Sequence, residues 1–75
     1  MPYALVYTAR ALKDLEKLSK AVNRRILAAL ERLAEEDDPE GSVKRLQDSP
    51  LYSLRAGQYR IILDIRREKV TIFVL

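Results

Sequence analysis

The sequence predicts an α+β fold: a first strand, a two-helix hairpin, then a three-stranded antiparallel meander, with the helices packed on one face of the sheet. Three observations carry this order, β-α-α-β-β-β. The opening Tyr3-Ala-Leu-Val-Tyr-Thr8 alternates larger and smaller side chains and is rich in strand formers. Residues 3–38 contain no glycine or proline, and within them Leu12, Leu15 and Leu18, then Val22, Ile26, Leu30 and Leu33, recur at helical spacing. Finally, residues 51–55, 59–65 and 70–75 are short apolar runs. The segments between them are too short for a parallel crossover and suit hairpins.

Each boundary has a local cause. Thr8 caps a first helix starting near Ala9, and Ser19-Lys20 breaks the apolar stripe into two helices, since serine is a good helix start. The second helix ends in Glu35-Glu36-Asp37-Asp38-Pro39, where acidic charge meets the negative end of the helix dipole. Adjacent carboxylates in a turn diverge, so this cluster reads as a solvated terminus and not as a catalytic or metal-binding pair. Glu40-Gly41-Ser42 forms a loop, and Asp48-Ser49-Pro50 a turn that delivers the chain into the meander. No repeat or linker interrupts the chain, and residues 1–75 read as one domain.

Composition narrows the function. A chain of 75 residues buries only about 60–65% of the surface that its unfolded form exposes, so stability is expected to draw on a partner. No apolar run approaches the roughly 18 residues of a membrane span, and Met1-Pro2-Tyr3 leads straight into the first strand without the marks of a signal peptide; a cytoplasmic location is the expectation. There are no cysteines and no histidines, which removes disulfides, thiolate nucleophiles, the usual general base and the usual zinc ligands; no metal and no cofactor are expected. The net charge of +3 is unevenly spread. Residues 1–40 hold seven cations and eight anions, whereas residues 41–75 hold seven cations against three anions, so the positive field belongs to the second half.

The sharpest chemical signal lies in the first hairpin of the meander. With residues 56–59 as its loop, Arg55 and Arg60 oppose each other across the ladder and project to the same side of the sheet. Like charges so placed repel. A pair of guanidinium groups kept there suits an anion, because each presents a fixed fork of donors to phosphate oxygens and stays charged at any relevant pH. The competing arrangement pairs one arginine with Asp64 or Glu68 and leaves the other solvated. Tyr59 is expected on the opposite side of its strand from Arg60, and Tyr52 alongside Leu54, both as core residues.

The string Leu51-Tyr-Ser-Leu-Arg-Ala-Gly-Gln-Tyr-Arg-Ile-Ile-Leu63, preceded by Val43-Lys-Arg-Leu46 and followed by Lys69-Val-Thr-Ile-Phe-Val-Leu75, resembles the central block of the RelE/ParE toxin superfamily. Residues 7–18 are similar to that family's first strand and helix. The resemblance implies the toxin of a type II toxin–antitoxin system, and the arginines flanking the glycine turn favour its RelE branch, ribosome-dependent endoribonucleases that cut messenger RNA and stop translation. It carries over Arg55 and Arg60 as catalytic phosphate contacts, with Lys44 and Arg45 as residues that hold RNA by charge. The implied partners are a cognate antitoxin, in a toxin–antitoxin hetero-oligomer, and messenger RNA on the ribosome, with no membrane. The family commonly continues past its last strand into a basic segment with an arginine and a tyrosine implicated in cleavage, which the residues up to Leu75 do not contain. Two other readings therefore stay open: a ParE-like toxin directed at DNA gyrase, and a catalytically silent RelE-fold protein that only binds an antitoxin.

Overall fold

The structure is a computed structural model that describes residues 2–75. Its elements run β1 (Ala4–Tyr7), α1 (Ala9–Glu16), α2 (Lys20–Ala34), β2 (Lys44–Arg45), β3 (Tyr52–Ala56), β4 (Tyr59–Arg66) and β5 (Thr71–Val74), with short 3₁₀ turns at Pro39–Ser42 and Arg67–Lys69. The strands form one sheet in the order β1-β5-β4-β3-β2. The predicted meander β3-β4-β5 is its antiparallel centre. Two features go beyond the expected order: β1 lies parallel to β5 at one edge, and Lys44–Arg45 adds a two-residue strand at the other. Among the described residues no helix is long and apolar enough to cross a membrane.

The helix boundaries follow from side-chain caps. Thr8 is extended, and its hydroxyl accepts from the Ala11 amide at 3.1 Å; Ser19 does the same for Val22 at 3.2 Å. Each satisfies a first-turn donor that the helix itself leaves free. Asn23 then donates from its side-chain amide to the Leu15 carbonyl at 3.0 Å, tying α2 to the end of α1. Cap position also sets the phase of α1. Ala11 is buried and Leu15 and Leu18 pack on the core, while Leu12, expected in the apolar stripe, is 50% exposed. A small side chain at Ala11 lets α1 sit close to the sheet, and Leu12 points roughly one helical step away from that contact.

Side-chain alternation sorts the sheet into two unlike faces. The inner face carries Tyr59, Ile61, Leu63 and Ile65 of β4, opposed by Ile72 and Val74 of β5 and by Tyr52, Leu54 and Ala56 of β3. Ile26, Leu30 and Leu33 of α2 close over it, and Leu30, Leu63 and Ile72 retain no exposure at all. As predicted, Tyr52 and Tyr59 lie against this core. The outer face carries Arg55, Arg60, Ile62, Asp64, Arg66 and Phe73, with no helix over it.

Two local features hold the base of the sheet. Arg67 donates to both Asp38 (2.9 Å) and Glu40 (2.9 Å from Nε), and Glu40 also accepts the Tyr52 hydroxyl at 2.8 Å. The acidic stretch after α2, read from sequence as a solvated terminus, thus supplies an anchor between the β4–β5 connection and β3. The Tyr52 hydroxyl and the Arg67 guanidinium hold the Glu40 carboxyl below its ordinary value, and the Glu40 carboxylate pushes the Tyr52 phenol up. Second, Val70 closes the β4–β5 connection in the left-handed region, φ 48° and ψ 47°. A β-branched residue is rarely found there, because its Cβ crowds the following carbonyl.

Two stability experiments test these features. Val70 is 37% exposed and contributes little to the core, so Val70→Gly is expected to raise stability by about 0.5–1 kcal/mol, seen as a higher urea midpoint at an unchanged slope. A lower midpoint would show that the backbone is not strained there. For Glu40, a folded carboxyl held below 4.5 means that the unfolded chain binds the proton more readily. Its contribution is present above the ordinary value and disappears as pH falls through the folded one. Urea melts at pH 7 should therefore find Glu40→Gln less stable than wild type, and the gap should close between pH 5 and pH 3.

Candidate nucleic-acid interface

The β3–β4 hairpin is built by a two-residue turn. Gly57 takes φ +62° at the first central position, which a residue with a side chain adopts only at a cost, and Gln58 follows. Ala56 pairs with Tyr59, and Arg55 with Arg60. The sequence reading placed residues 56–59 in a four-residue loop; the ladder instead extends one pair further, and because that extra pair is symmetric about the turn, the Arg55–Arg60 opposition is unchanged. Both arginines sit on the outer face and both are exposed.

Their surroundings leave them available. Asp64, the carboxylate that could have neutralised Arg60, is taken by Arg66, whose Nε donates to both of its oxygens at 3.0 Å. Among the described residues Arg60 makes no ion pair or side-chain hydrogen bond, and Arg55 makes only a long contact from its Nε to the Gly57 carbonyl, 3.4 Å. Two adjacent guanidinium groups without a counterion repel each other and favour any anion that bridges them.

The structure divides the other two predicted cations. Lys44 is in register with Ser53, which pairs with Ile62, so it shares the outer face with the arginine pair and makes no side-chain hydrogen bond or ion pair among the described residues. Arg45 is in register with Tyr52 and projects from the other side; its Nε donates to the Ser49 carbonyl at 3.3 Å and steadies the turn before β3. Lys44 thus extends the outer cationic surface, and Arg45 does not.

Sequence reasoning passed over two further cations. Arg10, in the first turn of α1, lines a shallow depression with Thr8, Ile62 and Leu75 at the end of the outer face. Arg25 of α2 lies over the hairpin tip from the inner side: a Cβ placed on Gly57 would be 3.7 Å from its Nη1. Neither had a local signal, since each is one polar residue on an amphipathic helix and only helix–sheet packing places it. Among the described residues no cluster of three or more acidic side chains has the arrangement of a metal site.

Comparison with known proteins agrees with this fold. Residues 5–75 match the sequence model of the ParE toxin of the type II toxin–antitoxin system parDE. No match is found among curated protein sequences. Among solved structures, the chain is similar to an Escherichia coli RelE toxin mutant in the free state, with a TM-score of 0.78 and 32% identity over 99% of this chain and 79% of that one. It is similar to the toxin of the archaeal RelE–RelB complex from Pyrococcus horikoshii, with a TM-score of 0.82 and 30% identity over 100% and 91%. The RelBE2 toxin–antitoxin complex from Mycobacterium tuberculosis matches with a TM-score of 0.71 and 34% identity over 100% and 87%. With its α+β order, its one-sided sheet and a family match across nearly its whole length, the chain belongs to the RelE/ParE superfamily of type II toxin–antitoxin toxins.

Proposed function

We propose that residues 1–75 act as one toxin domain that cleaves messenger RNA on the ribosome, with Arg55 and Arg60 as the residues that hold and stabilise the reacting phosphate. The observation that carries this reading is the opposed, exposed arginine pair without a carboxylate partner. In RNA cleavage by this route the ribose 2′ oxygen attacks the adjacent phosphorus as its proton leaves. The bond to the 5′ oxygen then breaks, giving a 2′,3′-cyclic phosphate, and the departing 5′ oxygen takes up a proton to become a hydroxyl. Charge accumulates on the non-bridging oxygens of the crowded intermediate. Two guanidinium forks fixed on adjacent strands suit that charge distribution better than that of the ground-state diester, and stabilisation of this kind is what lowers the barrier. Lys44 on the same face extends the field along the RNA backbone.

An antitoxin partner follows from the same surface. The relatives from Pyrococcus horikoshii and Mycobacterium tuberculosis are complexes of toxin with antitoxin. Here an apolar cleft of about 180 Å³ opens between the helices and the sheet, lined by Leu15, Leu18, Ile26 and Tyr59 and reaching Arg60 and Leu75. One antitoxin segment with apolar residues and a flanking carboxylate would bury the cleft and cover Arg60 together. A second reading is favoured by the ParE name of the matching family model: action on DNA gyrase.

Primer extension on translated messages after induction separates the readings. Wild type is expected to cut within messages, with Arg60→Ala or Arg55→Ala lowering cleavage by roughly 10²–10³-fold, the usual cost of removing one donor to a developing oxyanion. Arg55→Lys should recover only part of it, because an ammonium keeps the charge and loses the fork. Growth arrest and altered plasmid supercoiling without message cleavage would replace this reading with the gyrase one.

A further inference from the structure

The hairpin tip has a second side. Across Gly57 from Arg55, between α2 and the start of β4, lies a depression of about 280 Å³. Val22 and Ile26 of α2 and the partly buried Tyr59 form its apolar floor, Arg25 stands at its rim and Gln58 at its mouth, and no carboxylate lines it. Arg25 makes no ion pair or hydrogen bond among the described residues. Gly57 separates the two sides with backbone alone: Arg55 Nε is 3.4 Å from its carbonyl, and Arg25 Nη1 is 3.7 Å from where its Cβ would be.

We propose that this depression binds one extruded RNA nucleotide, its base against Tyr59 and the Val22–Ile26 floor and its phosphate on Arg25, next to the phosphate held by Arg55 and Arg60 on the other side of the turn. The proposal deepens the RNA-cleavage reading and rests on it for the identity of the polyanion. The parts match what a single-stranded nucleotide presents. A base offers a flat apolar surface with a hydrogen-bonding edge, which an aromatic floor and one carboxamide satisfy. Its phosphodiester offers a delocalised negative charge, which an unpaired guanidinium satisfies. The volume lies just below the roughly 300–1,000 Å³ of ordinary ligand sites, enough for one base. Gly57 lets the backbone of the RNA cross the tip closely, since no side chain stands in its way. On this path Gln58, the carboxamide in the lining, reads the base edge and sets a nucleotide preference beside the cut.

Two readouts test it. The first is affinity for a fluorescent single-stranded RNA oligonucleotide at several salt concentrations, which does not depend on cleavage. Arg25→Ala is expected to weaken binding about 5–10-fold and to reduce the slope of log affinity against log salt by about one. Arg24→Ala, a neighbouring cation of α2 that faces a different part of the surface, should leave both near wild type. Equal behaviour of the Arg25 and Arg24 variants would overturn the proposal, as would a wild type that binds no more tightly than Arg25→Ala. The second readout is the distribution of cuts in translated messages. Gln58→Ala should keep the salt slope and flatten the nucleotide preference at one position beside the cut; an unchanged distribution would remove the base-reading role. If Arg60→Ala left cleavage intact, the catalytic reading would fall, while the affinity comparison at Arg25 would still decide this one.

Discussion

The register of the β3–β4 ladder is the constraint on which the outer surface depends. A two-residue turn with glycine in the left-handed region fixes Ala56 against Tyr59, and every pair above it follows. Because side chains alternate, the same register that opposes Arg55 and Arg60 on the outer face sends Tyr59, Ile61 and Leu63 inward to meet α2. A slip of one residue between the strands would turn one strand over, sending its arginine inward, away from its partner, and its apolar side chains out of the core. Burial and charge placement are therefore not separate properties here: the apolar pattern of β4 holds the arginines where they stand, at a cost in mutual repulsion that the core outweighs.

The rest of the molecule keeps that sheet one-sided. Both helices are spent on the inner face, with Leu30, Leu63 and Ile72 fully buried, and Arg10 lines the end of the outer face. Acidic charge is taken up by other cations. Asp38 and Glu40 are engaged by Arg67 at the base of the sheet, and Asp64 by Arg66. The segregation seen along the sequence, balanced charge in the first forty residues and cationic excess afterwards, becomes in three dimensions a lid and anchor on one side and a surface of positive excess on the other.

What could be read from the sequence was what local chemistry determines. Thr8 and Ser19 announce two helices because a cap needs only the three following residues, and Gly57 announces a hairpin because few residues tolerate its backbone. The arginine opposition was legible because antiparallel pairing is symmetric about its turn, so an error of one pair in the loop did not matter. The parallel docking of β1 on β5 was not legible: it joins segments at the two ends of the chain, and neither carries a mark of its partner. Nor was β2, since two residues hold no alternation to detect, and it is this strand that places Lys44 and Arg45 on different sides. Leu12 misled for a related reason, because leucine spacing alone cannot tell which of two neighbouring helical rows meets the sheet.

Placing like charges in register has a thermodynamic consequence that joins the two partners proposed for this surface. The folded chain carries the Arg55–Arg60 repulsion only while no anion lies between them, so any ligand that supplies one stabilises the fold, by an amount that grows with the logarithm of its free concentration over its dissociation constant. Under the proposed function, a phosphodiester and an antitoxin carboxylate would offer the same relief to the same pair and exclude each other. For a chain of 75 residues with a thin core, the segment that silences the toxin is then also one that stabilises it. Release of that segment would give up both effects together, leaving a less stable protein with exposed arginines, which under the proposed function are then free for RNA. Inhibition and stabilisation by the antitoxin are, on this account, one electrostatic contact seen from two sides.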